Sequence, residues 1–481
     1  MGPQPDRAAH RRARAAAVTG TGRSAPKRQS PGRKTGASDS SAAVPGLAAR
    51  AVAVRLLGAV IDTRTSLDGL TDQEHGHPQF RALEPRDRAL VRAILVTALR
   101  YRGTISALIK ARLDRPLPEN ARSLEHLLHV GAAQILFLDV PDSAAVDLAV
   151  SLARADPRNA RFANLVNAVL REIVRRKARA LPAALAQSRD APDWFVERLQ
   201  HAYGVEKADA ILAAHRHEAP TDFTVKSDPE RWASALGGIV LPTGTVRVER
   251  LATSVAALPG YDAGAWWVQD VAASLPARLL GDVAGQRVLD LCAAPGGKTA
   301  QLAHAGATVT ALDLSRSRLK RLRTNLGRLG LTADLVEADG LAYTPAQPFD
   351  AVLLDAPCSS TGTARRHPDI PWTKTPDDID KLAGLQRRLL DHAAKLVRPG
   401  GRIVFSNCSL DPREGEEMVA GFLAETGDVV ADPIAAGELP GIANLVSGEG
   451  WLRTTPADMP GPSPALSGCD GFFAARFRKG G

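Results

Sequence analysis

Between residues 286 and 407 short apolar runs alternate with helix-patterned stretches, and this alternation constrains the chain more than any other feature. The runs cover 288–291, 308–313, 334–339, 349–355 and 402–407. Ahead of the last run, Ile379, Leu382, Leu385, Leu389, Ala393 and Leu396 keep a helical period, and Pro399-Gly400-Gly401 follows as a stop. Strands that alternate with helices pair side by side in a parallel, doubly wound sheet. Ligands of such sheets bind at the carboxyl ends of the strands. The residues just after each run are therefore where chemistry is expected.

Upstream the pattern changes. Residues 47–180 have helical periodicity and no strand-like alternation. Over 86–100, Leu90, Ile94, Leu95, Ala98 and Leu99 form one stripe, and Glu84-Pro85 marks its entry. Similar stretches at 124–138, 143–153 and 161–175 predict an all-α domain of roughly five to seven helices over 46–180. Segment 161–172 sets polar residues beside its apolar face, which suits either an RNA surface or a solvated helix face. Residues 181–190 read as a linker. A smaller α+β region, expected to contact RNA, follows over 190–260, helical from Pro192 to about His217, with strand-like pieces at 222–225 and 245–250. A C-terminal α/β domain takes 261–481.

Net charge is +9, but residues 1–45 hold nine Arg/Lys and two acids, which leaves +2 for the remainder. This basic tail has almost no large apolar residue before Val44, so disorder is expected. It suits a phosphate-contacting arm or a solvated extension. Lacking an apolar core segment, it is no secretory signal; an Arg-rich transit leader stays open. No apolar run approaches the roughly 18 residues of a membrane span. The four cysteines, Cys292, Cys358, Cys408 and Cys469, include no CxxC and no Cys/His cluster at zinc spacing. No metal is expected, and the chain is expected in the reducing cytoplasm, as a monomer.

The first run leads into Asp290-Leu291-Cys292-Ala293-Ala294-Pro295-Gly296-Gly297-Lys298-Thr299. A dinucleotide fingerprint needs GxGxxG, which is absent. A P-loop needs GxxxxGK[ST]; Gly297-Lys298-Thr299 fits its end, but Cys292 stands where its first glycine belongs. The third reading is S-adenosylmethionine. Small residues at 293, 294, 296 and 297 let a ligand approach the backbone. Asp313 would take the ribose hydroxyls, Asp339 would meet the adenine edge, and Asp355 would face the reacting end. Three acids at successive strand ends suit a ligand with hydroxyls and a sulfonium, and would repel a polyphosphate. Taken singly, each acid also suits a helix N-cap.

Asp355-Ala356-Pro357-Cys358 follows the fourth run and Asn407-Cys408-Ser409 the fifth. Neighbouring strands lie about 4.8 Å apart, so both thiols can face one pocket. Two thiols suit methylation at C5 of cytosine. A thiolate adding at C6 makes C5 a nucleophile, and a second group then helps the adduct decay. Asp355 near N3 would stabilise the activated ring.

DLCAAPGGKT (290–299), DAPCSSTG (355–362), RRHPDIPW (365–372) and NCSLDPREGEE (407–417) resemble the RNA cytosine-5 methyltransferases of the Sun/NOL1/NOP2 type. QDVAAS (269–274) and DGFF (470–473) look like further landmarks, and the likeness covers about residues 190–481. DRALVRAIL and RFANLVNAVLREI make the helical region similar to a NusB-type RNA-binding domain. The resemblance implies a Rossmann-like catalytic domain that uses S-adenosylmethionine and methylates 16S rRNA. It implies that Cys408 attacks C6 and that Cys358 assists product release. Cys292, Ala293, Ala294, Pro295, Gly296, Gly297, Lys298, Asp313, Asp339 and Asp355 would contact the cofactor. Asn407 departs from the family, which commonly has Thr there. Cys469 carries no family role and is expected as a buried thiol. Arg365, Arg366 and His367 are candidate phosphate contacts, or else a charged surface loop. A target base would have to be splayed out of its stack to reach Cys408. A non-catalytic RNA-binding assembly factor, and an enzyme acting on another rRNA or tRNA cytosine, are the alternatives.

Overall fold

The structure, a computed structural model, describes residues 45–481. All but the last residue of the basic tail read over 1–45 fall outside it. Among the described residues no helix is long and apolar enough to cross a membrane.

The amino-terminal region is helical, as its periodicity predicts. Its long helices run Leu47–Thr63, Pro85–Arg100, Arg102–Lys110, Arg122–Phe137, Asp142–Ala155 and Ala163–Gln187, with single-turn helices at Leu67–Leu70 and Pro78–Arg81. Glu84 stands at the N-cap position of the second long helix, Pro85 opens it, Asp87 lies in its first turn and Arg100 in its last. The stripe read from sequence is the buried one: Ile94, Leu95, Ala98 and Leu99 pack with Leu56, Leu57, Leu127, Leu128, Val166 and Leu170. A side chain at Gly131 would come within 2.7 Å of Leu170, so its absence lets two helices close up. The expected linker at 181–190 is instead helical as far as Gln187. Alanines at 178, 180, 183, 184 and 186 carry the helix past Pro182 because alanine is the strongest helix former.

Helix Asp193–His215 follows, interrupted at Gly204 (φ 76, ψ 165). A small antiparallel sheet comes next, formed by β1 (Thr221–Val225), β2 (Ile239–Val240), β3 (Val246–Val248) and β4 (Trp266–Val268) in the order β2-β3-β1-β4. This sheet does not end at residue 260. Its fourth strand pairs with β1 because Trp266 is fully buried, with its ring edge-on to Phe223 at 4.8 Å. Arg247 on β3 grips Asp222 on β1 with two bonds of 2.7 Å, and neither side chain is exposed. Removing one partner of such a pair leaves a buried charge alone. Arg247→Met is expected to cost about 3–5 kcal/mol, seen as a lower urea midpoint at unchanged slope. Adding Asp222→Leu should recover part of the loss.

The large sheet contains β5 (Arg287–Leu291), β6 (Thr308–Asp313), β7 (Asp334–Glu337), β8 (Phe349–Asp355), β9 (Val397–Asn407), β10 (Val429–Ala431), β11 (Leu452–Thr454) and β12 (Phe472–Lys479). The order is β10-β12-β9-β8-β5-β6-β7, with β11 also on β12. The five strands read from sequence are mutually parallel, with β8 and β9 adjacent. The sheet as a whole is mixed rather than parallel, because β12 runs antiparallel to β9 and carries β10 and β11 antiparallel to itself. Burial explains this addition: Phe472 through Phe477 are all buried and need a covered position. The chain steps outward from β5 to β6 and β7, then returns to β8 on the other side of β5. The crevice of a doubly wound sheet opens at such a reversal.

Candidate active site

The chain leaves β5 through Cys292 (φ 66) and reaches helix Gly297–His304 through Gly296 (φ 105). Cys292 thus adopts the left-handed conformation usually left to glycine. That costs about 1–2 kcal/mol and is offset by bonds the turn makes to β6. Ala293 N–H donates to Leu312 O at 3.0 Å and Ala294 N–H to Asp313 Oδ2 at 3.1 Å. At Gly296 a Cβ would lie 2.7 Å from Leu322, so backbone and helix touch there.

A cleft of 740 Å³ opens over this loop. Ala293, Pro295, Gly296, Gly297, Lys298, Asp355 and Cys408 line it, so most of the expected cofactor loop and the expected nucleophile share one space. Gln269, Asp270 and Phe472, from the landmark segments, line it too, as do Arg64, Ser66 and Asp68 of the helical region. Cys292, Ala294, Asp313, Asp339 and Cys358 are not on its wall. Asp313 is buried and secures the loop: besides Ala294 N–H it accepts Ser315 N–H at 2.9 Å and faces Arg318 at 3.3 Å. Asp339 is exposed and accepts Leu341 N–H at 2.9 Å, a local turn bond. Lys298 Nζ pairs with Asp355 Oδ2 at 2.7 Å and lies 4.8 Å over the Phe472 ring. Ser406 donates to the other Asp355 oxygen at 3.0 Å.

The two thiols meet. Cys358 Sγ and Cys408 Sγ are 3.5 Å apart, and Ser360 Oγ lies 3.9 Å from Cys358 Sγ. Cys408 is held below an ordinary thiol, first by the Cys358 S–H that donates to it. Burial and the Asp355 carboxylate oppose this, while Ser360 and the Lys298 ammonium assist. Cys358 is pushed up in turn, by that same bond and by burial. Burial, and then Asp355, Asp313 and Asp290, push Cys292 up to about 12, which keeps it a neutral thiol. Cys469 is fully buried, as expected for a structural thiol.

The segment after Cys358 is committed to acidic partners, although Arg366 and His367 also line the cleft. Arg365 is buried with Asp270 at 3.4 Å and Asp470 at 3.6 Å. Arg366 meets the same two acids at 2.5 and 3.1 Å. His367 bonds to Asp68 of the helical region at 2.9 Å, and Asp369 accepts Leu67 N–H at 2.9 Å. Trp372 Nε1 donates to Leu99 O at 3.3 Å. RRHPDIPW therefore neutralises buried acids and fastens the helical region to the cleft. Its charges look solvent-facing in sequence only because their partners lie about a hundred residues or more away.

Asp290 is fully buried beneath the loop. Thr299 donates to its Oδ2 at 2.5 Å, and Oδ1 has no partner among the described residues. Burial pushes its carboxyl up to about 7, against the Thr299 bond. Unfolded, an aspartate releases its proton near pH 4. Between those values the native state binds more protons, so this group's contribution to stability falls as pH rises and is constant above about 7. Asp290→Asn should remove on the order of 2–3 kcal/mol of the stability lost between pH 5 and 8. Urea unfolding of both proteins at the two pH values reads this out, and equal losses would contradict it.

Comparison with known proteins follows the same division. Residues 277–478 match the family described as 16S rRNA methyltransferase RsmB/F, and residues 47–175 match the NusB family. Ribosomal RNA small subunit methyltransferase B of Xanthomonas campestris pv. campestris is 38% identical over 454 residues, covering 91% of this chain and 98% of that protein. Its counterpart in Cronobacter sakazakii is 32% identical over 449 residues, covering 89% and 98%. The crystal structure of PH0851 superposes with a TM-score of 0.66 at 24% identity, covering 91% of this chain and 99% of that one. That of NSun6 from Pyrococcus horikoshii with SFG gives 0.52 at 19%, covering 60% and 98%. Likeness extending along nearly the full length of the bacterial relatives makes this chain an RNA methyltransferase of the ribosomal RNA small subunit methyltransferase B family, with a NusB-family helical domain ahead of its Rossmann-like catalytic fold.

Proposed function

We propose that the protein methylates C5 of a cytosine in 16S rRNA through a transient bond between Cys408 and C6. S-adenosylmethionine is the cofactor and supplies an electrophilic methyl group. The observation that carries the reading is the pair of sulfurs 3.5 Å apart, with Cys408 in one cleft with Asp355, Lys298 and the 293–298 loop. Cys408 bears the nucleophilic sulfur. Asp355, fixed by Lys298 and Ser406, offers a carboxyl to the N3 edge of the ring. Cys358 assists expulsion of the product. The loop fits a ligand that approaches backbone closely, because Gly296 and Gly297 leave no side chain on the cleft wall. Cys292, Ala294 and Asp313 are assigned to its support, while Asp339 stands two residues past β7 and keeps its assignment to the adenine edge as a proposal.

RNA binding by the helical domain is supported by a second groove, of 1000 Å³, lined by Arg55, Arg161 and Phe162 beside the ion pairs Arg122–Asp62 and Arg158–Asp156. Cations with an aromatic ring suit phosphate contact and base stacking. We assign 46–180 to RNA binding, 190–260 together with β4 to the small sheet region, and the remainder to catalysis. Mapping 5-methylcytosine in 16S rRNA from cells with and without the gene tests the reading. One site should be lost with the gene, and an unchanged map would refute the assignment.

A further inference from the structure

Behind the sulfurs, away from the cleft, lies a buried set of polar side chains that the reaction does not use. Glu414, Ser359, Gln386, Asn407 and Ser409 are fully buried, and Thr361 nearly so. Glu414 Oε1 accepts Ser359 N–H at 2.9 Å and Gln386 Nε2 at 2.8 Å, and Oε2 accepts Ser359 Oγ at 2.5 Å. Gln386 Nε2 also donates to Pro357 O at 3.0 Å. On the other loop, Asn407 Nδ2 donates to the Glu414 main-chain oxygen at 2.7 Å and to Gln386 Oε1 at 3.3 Å. Its Oδ1 accepts Ser409 N–H at 3.0 Å. Ser409 Oγ closes the ring, 3.2 Å from Ser359 Oγ and 3.1 Å from Thr361 Oγ1.

The two residues on either side of Cys358, and the two on either side of Cys408, are all held by this set. A buried carboxylate is costly unless donors surround it, and donors left without it would be costly in turn. Removing the carboxylate therefore frees the Cys358 loop from the segment that carries Glu414, while Asn407 keeps its bond to the Glu414 main-chain oxygen. We propose that Glu414 is a positioning residue, whose buried carboxylate clamps the Cys358 loop to the Cys408 loop and sets the spacing of the two sulfurs. The buried Asn407 is part of the clamp and spends both ends of its side chain there. Its importance for catalysis rests on the function proposed above; the clamp itself does not.

The groups that face Cys408 are Cys358, Ser360, Asp355 and Lys298. If the sulfurs separate, Cys408 loses its S–H donor, the largest influence favouring the thiolate, and burial and Asp355 are then opposed only by Ser360 and Lys298. Its reactivity must then move to higher pH. The test is the rate of Cys408 carbamidomethylation by iodoacetamide against pH, read on the peptide by mass spectrometry in the full-length protein without RNA. Glu414→Ala should raise the midpoint by about one pH unit, which lowers Cys408 reactivity about tenfold below that midpoint. Glu414→Gln, which keeps one carbonyl acceptor and can donate to the serine hydroxyls, should restore most of the wild-type profile. A Glu414→Ala profile that matches wild type would overturn the clamp. If Glu414→Ala does not fold, as judged by thermal melting, Ser359→Ala is read instead: a smaller shift in the same direction supports the proposal and no shift overturns it. A shifted profile beside full RNA methylation by Cys408→Ala would leave the clamp standing and remove only the reading of Cys408 as nucleophile.

Discussion

Cys408→Ala is expected to abolish methyl transfer, with a loss on the order of 10⁴-fold or more, the size seen when a covalent nucleophile is removed. C5 of cytosine is too weak a nucleophile to take a methyl group unaided. It becomes one only while sulfur is bonded to C6, so no other residue in the cleft can substitute. Cys292 cannot serve, because its thiol is pushed up to about 12 and it is not on the cleft wall. Cofactor binding should survive, since the loop at 293–298 is held by β6 and by Asp313, not by Cys408. The check is methyl transfer to unmodified small-subunit rRNA, with cofactor affinity measured alongside. Full turnover by the variant would remove the mechanism.

Cys358→Ala is expected to act later in the cycle and look different: turnover falls while a covalent protein–RNA complex builds up toward one per enzyme. The Cys358 S–H donates to the Cys408 sulfur 3.5 Å away, and this bond is the first cause that holds its proton. Once Cys408 is bonded to C6 its sulfur is a thioether and a poor acceptor, and that cause is gone. Cys358 can then release its proton to solvent and, as the thiolate, take the C5 proton, whose departure returns the electron pair to the ring and expels Cys408 as its thiolate. Without Cys358 the adduct lacks the thiol placed to take that proton, since Asp355 is committed to the N3 edge, and it persists. A slow band in a denaturing gel, absent with Cys408→Ala and with the double variant, checks this. A Cys358→Ala protein that turns over normally and leaves no such band would contradict the assignment. Loss of the S–H donor should also move the acid limb of adduct formation to higher pH, because Cys408 then forms its thiolate less readily.

What could be read from sequence followed the range of the interactions. Periodicity along one segment placed the helices and the five parallel strands, and strand ends marked the cleft. β8 and β9 lie side by side, so Cys358 and Cys408 could be brought together by topology alone. What failed were pairings between distant segments. β12 joins the sheet through burial of Phe473 and Phe477 against β9, and an eight-residue segment does not announce which edge it will take. Arg365 and Arg366 carried a surface-like charge pattern, yet Asp270 and Asp470 draw them inside. Glu414 stands in the quoted NCSLDPREGEE, but its role depends on Ser359 and Gln386, 55 and 28 residues earlier, and no local spacing encodes that. The left-handed Cys292 shows the opposite case, in which tertiary bonds to β6 override a residue's own preference.

The central claim is that the sulfur of Cys408 becomes covalently attached to the target base. An rRNA substrate carrying 5-fluorocytidine tests it directly, because fluorine at C5 cannot leave as a proton does and the adduct cannot decay. After incubation with S-adenosylmethionine, nuclease and protease digestion, the modified peptide can be sequenced by mass spectrometry. The nucleotide should be found on Cys408 within 402–413. Attachment at Cys358, or no attachment while the unfluorinated RNA is methylated at full rate, would contradict the account.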